Sequence, residues 1–307
     1  MKDLISSKRL NFNEIDLIFW LADHYRKTRN STFTFDNKCK ILTTLFYEPS
    51  TRTSASFQSA MLSLGGSIIP INEVNYSSVS KGETLEDTIR TIGCYSDIIA
   101  LRHPDEDSSE RAVAVSSVPI INAGSGAGEH PTQALLDLYT IKQRFGKING
   151  LTVTFFGDNK YSRTVASLAN LLEKYNVRIN WVGHPSLSPP KVIGEIDGVY
   201  EHLDKSLADT DVVYVTRAQV ERHPSSVGRE KTHFPTSFLE YAKEDMIIMH
   251  PFPRVDELSV EVDKDPRAWY FKQIQNGLYI RKAILTILLI GFEECYTNYS
   301  STMKGFL

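Results

Sequence analysis

The sequence predicts an α/β fold of two domains, each a parallel sheet flanked by helices. Apolar runs typical of buried strands alternate with amphipathic helical segments along the chain, a pattern characteristic of parallel sheets covered on both faces. The 307 residues are enough for two domains of about 150 residues each. Polar clusters directly follow several predicted strands, and ligands of open α/β sheets bind beyond such strand ends.

The first predicted domain alternates four strands with helices. Its N-terminal helix has Asn13 as the expected N-cap, and its last helix begins at "HPTQ" (130–133). The predicted strands are "KILTTLFY" (40–47), "SIIPI" (67–71), "DIIALR" (97–102) and "VPIINA" (118–123). The helices between them are "RTSASFQSAMLSLGG" (52–66) and "ETLEDTIRTIGCYS" (83–96).

The alternation restarts after "GKINGLT" (146–152), where two glycines and an asparagine indicate a boundary. We therefore expect a first domain of residues 1–147 and a second of residues 148–283, with a C-terminal helix of about residues 284–307 packing back onto the first. The predicted strands are "LTVTFFGD" (151–158), "RINWVG" (178–183), "DVVYVTR" (211–217) and "MIIMHPFPR" (246–254). The predicted helices are "SRTVASLANLLEKY" (162–175) and a closing stretch from about residue 266 to 294.

The composition gives no reason to expect general binding to nucleic acid or membranes. The net charge is −3, so an anionic ligand needs a local positive pocket. The three cysteines are far apart and form no CxxC pair, which argues against a zinc site and suits a reducing compartment. The N-terminal residues do not resemble a signal peptide, and the apolar stretch 283–292 is too short to span a bilayer. We expect a cytoplasmic protein.

The segment "EPSTRT" (48–53) joins a predicted strand to a predicted helix. Helix N-termini expose unpaired N–H groups and carry a partial positive charge, so they bind phosphate. The hydroxyls of Ser50, Thr51 and Thr53 would add hydrogen bonds, and Arg52 would add a charge-assisted pair. The alternative is a serine–threonine helix cap beside a surface arginine.

The segment "GSGAGEHPTQ" (124–133) also joins a strand to a helix, but it is not a dinucleotide-binding fingerprint. The third glycine of the GxGxxG pattern falls on Glu129. His130 and Gln133 stand at the helix start, where their side chains can point into a cleft. A structural histidine that only satisfies local hydrogen bonds is the alternative.

Arginines occur at several predicted strand ends: Arg102, Arg163, Arg217 and Arg222, with Gln219 beside the last two. Each one alone is explained as a solvated or ion-paired side chain. Together they indicate a cleft built for several negative charges.

Two further loops carry groups that could bind a substrate. In "HPFPR" (250–254) two prolines restrict the backbone around Phe252, so fixed carbonyl groups could accept from an amide; a rigid turn is the alternative. The polar stretch 75–82 carries Ser77 and Lys81 and is otherwise an ordinary flexible loop. The sequence shows no nucleophile–base pair and no metal-ligand cluster, so we expect no cofactor or metal. The chemistry should rest on positioning and electrostatic stabilisation.

Seven motifs, in order, resemble those of the aspartate carbamoyltransferases, members of the aspartate/ornithine carbamoyltransferase superfamily. They are "FYEPSTRT", "SKGETLEDT", "RHP", "NAGSGAGEHPTQALLDLYT", "GDNKYSRT", "YVTRAQVER" and "HPFPRVDE". The resemblance runs from about residue 9 to 292. It implies an active site in the cleft between the two domains, where the carbamoyl group of carbamoyl phosphate passes to the α-amine of L-aspartate for pyrimidine biosynthesis.

The resemblance also implies which residues bind each substrate. Those for carbamoyl phosphate are Ser50, Thr51, Arg52, Thr53, Ser77, Arg102, His130, Gln133, Phe252 and Pro253. Those for aspartate are Lys81, Arg163, Arg217 and Gln219. The residues that carry catalysis are Arg52, Thr53, Lys81, Arg102 and His130. Of these, Thr53, Arg102 and His130 contact the carbonyl oxygen as it becomes an oxyanion, while Gln133 and the carbonyls of Phe252 and Pro253 hold the carbamoyl N–H₂.

Assembly and closure follow from the same resemblance. Ser77 and Lys81 reach the active site from a neighbouring subunit, which implies a homotrimer with shared sites. Glu48 bridges to the second domain through Arg163 and Arg222 and favours closure. A regulatory chain or a larger multifunctional polypeptide is left open by the sequence.

The chain departs from the family pattern in three motifs. Val220 replaces the usual lysine of "QKER", and Ser125 replaces the acid of "NAGDG". The family's "GDLK" and the glycine-containing turn after it have become "GDNKYS", with Asn159 and Ser162. We expect the change at Val220 to affect aspartate affinity and closure.

Two other functions remain as alternatives. Ornithine carbamoyltransferases share the phosphate turn, but they lack the arginine of "VTRAQ" and carry an HCLP loop where this chain has "HPFP". A non-catalytic homologue would have lost Arg52, Lys81, Arg102 or His130, and all four are present.

Overall fold

The computed structural model describes residues 1–28, 39–72, 82–188, 196–200, 203–223 and 232–304. The chain divides into two compact units. Unit 1 comprises Met1–Leu135 and Asn276–Leu307, and unit 2 comprises Leu136–Gln275. Each unit contains one sheet whose strand pairs are all parallel. The predicted fold class of two parallel-sheet domains flanked by helices is confirmed.

The sheet of unit 1 has the strand order β2-β1-β3-β4. Its strands are β1 (Ile41–Phe46), β2 (Ser67–Ile71), β3 (Ile98–His103) and β4 (Ile120–Ser125). The helices among them are α1 (Phe12–Lys27), α2 (Thr51–Ser63), α3 (Leu85–Gly93) and α4 (Ser108–Val115). Every residue of β4 is buried, as expected for a parallel strand covered on both faces.

The sheet of unit 2 has the strand order β7-β6-β5-β8-β9. Its strands are β5 (Thr152–Phe156), β6 (Arg178–Val182), β7 (Ile196–Tyr200), β8 (Val212–Val215) and β9 (Ile247–Met249). The helices that follow in the chain are α5 (Pro131–Phe145), α6 (Arg163–Leu172), α7 (Asp204–Leu207), α8 (Tyr270–Ile290) and α9 (Phe292–Lys304); α9 and most of α8 belong to unit 1. The division between the units falls inside α5 and inside α8, so the boundary predicted at residues 147/148 stays a prediction.

Each unit has its own apolar core. In unit 1, Leu45, Ile89 and Ile99 belong to a cluster of buried residues from β1, α3 and β3. In unit 2, Val213, Phe234, Ile248 and Tyr270 belong to another. No helix among the described residues is both long enough and apolar enough to cross a membrane.

Two local predictions are corrected by the structure. The N-cap of α1 is Asn11, not Asn13, because Asn11 and Glu14 form a reciprocal capping box. The closing helix is interrupted at Gly291, whose φ of 117 suits glycine rather than a helix interior. Beyond the break, α9 packs on α1 within unit 1, where the rings of Trp20 and Tyr299 meet at 5.6 Å. Three short elements, α4, α7 and β7, were not anticipated.

Candidate active site

The polar segments of unit 1 follow three neighbouring strands at their carboxyl ends. Phe46 of β1 is in register with Arg102 of β3, and His103 of β3 is in register with Ser125 of β4. The chain leaving β1 stays against β3, since the N–H of Tyr47 donates to the carbonyl of Arg102 at 2.8 Å. The "EPSTRT" turn, Arg102 and the "GEHPTQ" segment therefore leave the same edge of one sheet.

The "EPSTRT" turn places the start of α2 at this edge. Ser50 is the N-cap residue of α2, but its side chain makes no capping hydrogen bond. Its hydroxyl instead accepts from Nη1 of Arg102 at 3.4 Å. Thr51 and Arg52 are exposed in the first helical turn, and Thr53 is buried. The first turn also has no acidic side chain, so its electrostatics favour an anion.

Arg102 is held by an acidic partner within unit 1. Its Nε lies 3.2 Å from the Glu48 carboxylate, and both side chains are largely shielded from solvent. The guanidinium therefore spans Glu48 and Ser50, at the side of the predicted phosphate turn. The implied bridge from Glu48 to Arg163 and Arg222 stays a prediction, since those residues belong to unit 2.

His130 immediately precedes α5, as the sequence predicted. Its carbonyl accepts from the N–H groups of Gln133 and Ala134 at 3.0 and 3.1 Å. The imidazole is 4% exposed, and its Nδ1 lies 3.4 Å from the hydroxyl of Thr132. The ring is therefore fixed in place, while its role as a ligand of a substrate carbonyl stays a prediction.

The three candidate loops of unit 2 follow strands that are neighbours in its sheet. β8 pairs with β5 on one side and with β9 on the other. The "GDNKYSR" turn follows β5, "TRAQVER" follows β8, and "HPFPR" follows β9. Arg163 is the first residue of α6 and is 4% exposed. This edge thus carries the implied aspartate ligands Arg163, Arg217 and Gln219.

Gly157 allows the first two of these loops to approach closely. Its φ is 119, and a Cβ there would lie 2.2 Å from the carbonyl oxygen of Thr216. A side chain at residue 157 would both strain the backbone and push the "TRAQVER" loop away from the "GDNKYSR" turn. The glycine is therefore a requirement of the site's geometry.

Arg217 binds an acidic residue, Glu221, that no sequence motif indicated. Its Nη1 and Nη2 donate to the two carboxylate oxygens of Glu221 at 3.0 and 2.5 Å, and Nη1 also donates to the carbonyl of Ala218 at 2.8 Å. The hydrogen bonds from Arg217 lower the pKa of Glu221 to about 2. An incoming carboxylate at Arg217 meets a guanidinium that is already oriented, and partly neutralised, by Glu221.

We expect the Glu221 carboxyl to stay ionised far below its ordinary pKa of 4.5, because folding lowers that pKa to about 2. A depressed acid stabilises the fold above its unfolded pKa, so the contribution is complete above pH 4.5 and is lost as the pH falls toward 2. Carbon-13 NMR of the Glu221 carboxyl carbon measures this titration. In Arg217→Met the midpoint should return toward 4.5; a wild-type midpoint already there would contradict the ion pair.

Asp158 joins the "GDNKYSR" turn to the "TRAQVER" loop. Its Oδ1 accepts from the N–H of Tyr161 at 3.0 Å, and its Oδ2 accepts from the N–H of Gln219 at 2.8 Å. Arg222 adds two long contacts, with Nη1 3.4 Å from the carbonyl of Tyr161 and from Oε1 of Gln219. Arg217, Gln219 and Arg222 are thus brought together on one braced loop.

The "HPFPR" loop is braced by a buried pair, His250 and Glu257. Nε2 of His250 lies 2.5 Å from the Glu257 carboxylate, and Nδ1 accepts from the N–H of Phe252 at 2.8 Å. Phe252 has a φ of 55, and the peptide bond to Pro253 is cis. His250 and Glu257 thus bond the backbone of this loop at Phe252 and Val255, while the role of the Phe252 and Pro253 carbonyls stays a prediction.

The departures from the family pattern have different surroundings. Ser125 is buried and accepts from Nδ2 of Asn122 at 3.1 Å. Asn159 is buried, and its Nδ2 donates to the carbonyls of Phe155 and Val182 at 3.4 and 3.2 Å. Val220 is 42% exposed. Ser125 and Asn159 are thus hydrogen-bonded in the interior, while Val220 lies at the surface of the "TRAQVER" loop.

Two implied site residues, Ser77 and Lys81, lie outside the described residues. Among the residues that the structure does describe, no group of three His, Cys, Asp or Glu side chains is placed to hold a metal ion.

Comparison with known protein families gives two adjoining matches. The model described as the aspartate/ornithine carbamoyltransferase carbamoyl-P binding domain matches residues 2–143. The model described as the Asp/Orn binding domain of the same family matches residues 149–288. Together they account for almost the whole chain.

Individual relatives agree with these matches. The chain is 44% identical over 301 residues to the aspartate carbamoyltransferase catalytic subunit of Thermoplasma acidophilum, covering 94% of this chain and 98% of the relative. It is 46% identical over 299 residues to the multifunctional protein pyr1-3 of Dictyostelium discoideum, covering 94% of this chain and 13% of the relative. The chain thus spans only a small part of that multifunctional protein.

A solved structure extends the similarity to three dimensions. Aspartate transcarbamoylase from Trypanosoma cruzi, crystallised with carbamoyl phosphate and aspartate, matches with a TM-score of 0.87 and 39% identity, covering 94% of this chain and 97% of that one. Its similarity spans both units. On the sequence motifs, the family models and these relatives together, this chain belongs to the aspartate/ornithine carbamoyltransferase family.

Proposed function

We propose that the chain is an aspartate carbamoyltransferase, which transfers the carbamoyl group of carbamoyl phosphate to the α-amine of L-aspartate. The observation that carries this proposal is the distribution of the implied ligands. The implied ligands of the phosphate, at the start of α2, lie at the β1–β3–β4 edge of unit 1. The arginines implied to bind the two carboxylates of aspartate lie at the β5–β8 edge of unit 2. The Trypanosoma cruzi relative binds both substrates.

Carbamoyl phosphate is assigned to unit 1. Its phosphate meets the N–H groups at the start of α2, the hydroxyls of Ser50, Thr51 and Thr53, and the guanidinium of Arg52. Its carbonyl oxygen meets Thr53, Arg102 and His130, which stabilise the negative charge that develops during attack. The buried imidazole of His130 and the braced Arg102 support this, because donors held in place need little reorganisation.

Aspartate is assigned to unit 2, with its carboxylates on Arg163 and Arg217. Its deprotonated α-amine attacks the carbonyl carbon and forms a C–N bond, giving a tetrahedral intermediate. The C–O bond to phosphate then breaks, and the phosphate takes a proton from the amine. The products are N-carbamoyl-L-aspartate and phosphate, and the step needs no protein nucleophile.

Arg217 also discriminates against ornithine as second substrate. A guanidinium attracts a side-chain carboxylate and repels a side-chain ammonium. Glu221 does not reverse this preference, because both of its carboxylate oxygens are already engaged by Arg217.

Product formation from carbamoyl phosphate, with aspartate and ornithine in parallel reactions, tests the proposal. We expect carbamoyl-aspartate and no citrulline. Citrulline alone would overturn the choice of substrate. Binding of carbamoyl phosphate without any product would favour the non-catalytic homologue.

We further propose a homotrimer in which Ser77 and Lys81 of one subunit complete the site of its neighbour. The family resemblance supports this proposal, and both residues lie outside the described part of the chain. We also propose a reducing, cytoplasmic location, supported by the sparse, odd set of cysteines, Cys39, Cys94 and Cys295.

Mixing two inactive variants tests the shared site. Lys81→Ala and Arg52→Ala should each lack activity, and mixed trimers should regain part of it. A shared interface in such a trimer can combine an intact Lys81 from one chain with an intact Arg52 from the other. Subunit exchange is verified with differently tagged chains; mixtures that exchange but stay inactive would show that Lys81 does not act across an interface.

A further inference from the structure

His223 ends the described part of the aspartate-binding loop and contacts the carboxylate that organises it. Its Nε2 lies 2.6 Å from Oδ2 of Asp158, the same oxygen that accepts the N–H of Gln219. The side chain of His223 is 4% exposed, and that of Asp158 is 0% exposed. A carboxylate buried to this degree depends on protein donors, since water cannot replace them.

The arrangement identifies His223 as the donor. Oδ1 of Asp158 accepts one backbone N–H and Oδ2 another, which is how an ionised carboxylate bonds. Nε2 of His223 therefore carries the proton that is donated to Oδ2. Nδ1 has no hydrogen-bond partner among the described residues. The hydrogen bond from Nε2 to Asp158 is therefore the polar contact that holds the imidazole in place.

The ring of His223 has a second neighbour in the turn after β5. Its centroid lies 4.8 Å from the ring of Tyr161, with the two planes at 48°. Asp158 and Tyr161 both belong to the "GDNKYSR" turn. The imidazole therefore docks the far end of the "TRAQVER" loop onto the turn that leads into Arg163.

The loop between its two attachments contains Glu221, the carboxylate that orients Arg217. Gln219 is attached through its N–H and His223 through its ring, both to one oxygen of Asp158. Glu221 lies between these attachments in a short 3-10 turn, Val220–Arg222, and its carboxylate orients Arg217. Displacing residue 223 would move Glu221 and thereby change the direction of the Arg217 guanidinium.

We propose that His223 is a positioning residue for aspartate binding, which acts by donating a hydrogen bond to buried Asp158 and so fixing the 217–223 loop. This inference rests on the proposed function for its kinetic consequence. Its structural part, the attachment of Gln219 and His223 to one carboxylate, stands independently.

Two substitutions separate the hydrogen bond from simple packing. His223→Phe keeps a ring against Tyr161 but removes the donor. His223→Gln removes the ring but keeps a donor, because Nε2 of glutamine is the same number of bonds from Cβ as Nε2 of histidine. His184→Phe, at a second histidine whose Nδ1 bonds to Ser186 two residues away, is the control substitution.

We expect His223→Phe to raise the KM for aspartate about tenfold or more, as for loss of one hydrogen bond to a charged group. The kcat at saturating aspartate and the KM for carbamoyl phosphate should change less than about threefold by the same reasoning. His223→Gln should restore most of the aspartate affinity, and His184→Phe should behave as wild type. An unchanged aspartate KM in His223→Phe, or a glutamine variant as impaired as the phenylalanine one, would overturn the inference.

Amide hydrogen exchange at Gln219 tests the attachment without reference to catalysis. Exchange should accelerate about tenfold or more in His223→Phe, because opening of the loop becomes easier, and should recover in His223→Gln. If the wild type made no carbamoyl-aspartate, the proposed function would fail, and this exchange experiment would still decide the role of His223. Equal Gln219 exchange in wild type and His223→Phe would refute that role.

Discussion

Replacement of Arg52 by alanine is expected to weaken carbamoyl phosphate binding by about 100-fold or more. Hydrogen bonds to charged groups contribute about 1.5–3 kcal/mol each, and a guanidinium can form two with one phosphate. Arg52 is exposed in the first turn of α2, a turn without acidic residues, so the positive helix terminus and the side chain act on the same anion. Calorimetric titration with carbamoyl phosphate measures the loss directly.

Arg90→Ala provides the control for this substitution. Arg90 is also an exposed arginine of unit 1, but it forms a surface ion pair with Asp87 on α3, and such pairs contribute little to stability. We expect wild-type affinity in Arg90→Ala. Wild-type affinity in Arg52→Ala would show that the phosphate does not bind at the start of α2.

Replacement of Arg217 by alanine is expected to raise the KM for aspartate by about 100-fold or more, while the affinity for carbamoyl phosphate stays within about twofold. Two effects add. The substrate loses a bidentate partner, and Glu221 loses the arginine that engages both its oxygens. A carboxylate without its partner then repels a dianionic substrate.

A double substitution separates these two effects. In Arg217→Ala/Glu221→Gln the repelling charge is absent, so aspartate should bind about three- to tenfold more tightly than to Arg217→Ala alone, an effect of the size expected between neighbouring groups. Glu221→Gln alone should cause a smaller loss than Arg217→Ala. Steady-state kinetics with varied aspartate compare all four proteins. Equal losses for aspartate and carbamoyl phosphate in Arg217→Ala would contradict the assignment of Arg217 to aspartate.

Sequence periodicity predicted the strands and helices that are long or strongly apolar. The predicted "SIIPI" strand is the observed β2, and the predicted strand before "EPSTRT" is β1. Both predictions were possible because a short apolar run bounded by turn residues is typical of a buried strand. The short helix α4, "SSERAVAV", and the glycine-containing strand β7 lack such a signal. Contacts with the rest of the fold determine the conformation of these two segments.

The residues of the candidate site also fall into those that the sequence predicted and those that it did not. The turn at Ser50–Thr53 and the arginines at strand ends were predicted because their position follows from the local order of strand, loop and helix. Glu221 and His223 were missed because their roles depend on the pairing of β5 with β8, which brings Asp158 to the "TRAQVER" loop. Residues 158 and 223 are 65 positions apart, and no local pattern links them.

The surroundings of the three family departures refine the expectation about aspartate affinity. Ser125 and Asn159 are bonded within the interior, while Val220 is exposed beside Gln219 and Glu221. The expected effect of Val220 on aspartate affinity and closure stays a prediction.

The most direct test of the proposed transfer is to observe the new carbon–nitrogen bond. The protein is incubated with carbon-13-labelled carbamoyl phosphate and nitrogen-15-labelled aspartate, and the carbonyl carbon is observed by NMR. We expect a new carbonyl signal split by one-bond coupling to the labelled nitrogen, together with one inorganic phosphate for each product molecule. Release of phosphate with no carbon–nitrogen coupling would show that the carbamoyl group does not pass to the α-amine of aspartate.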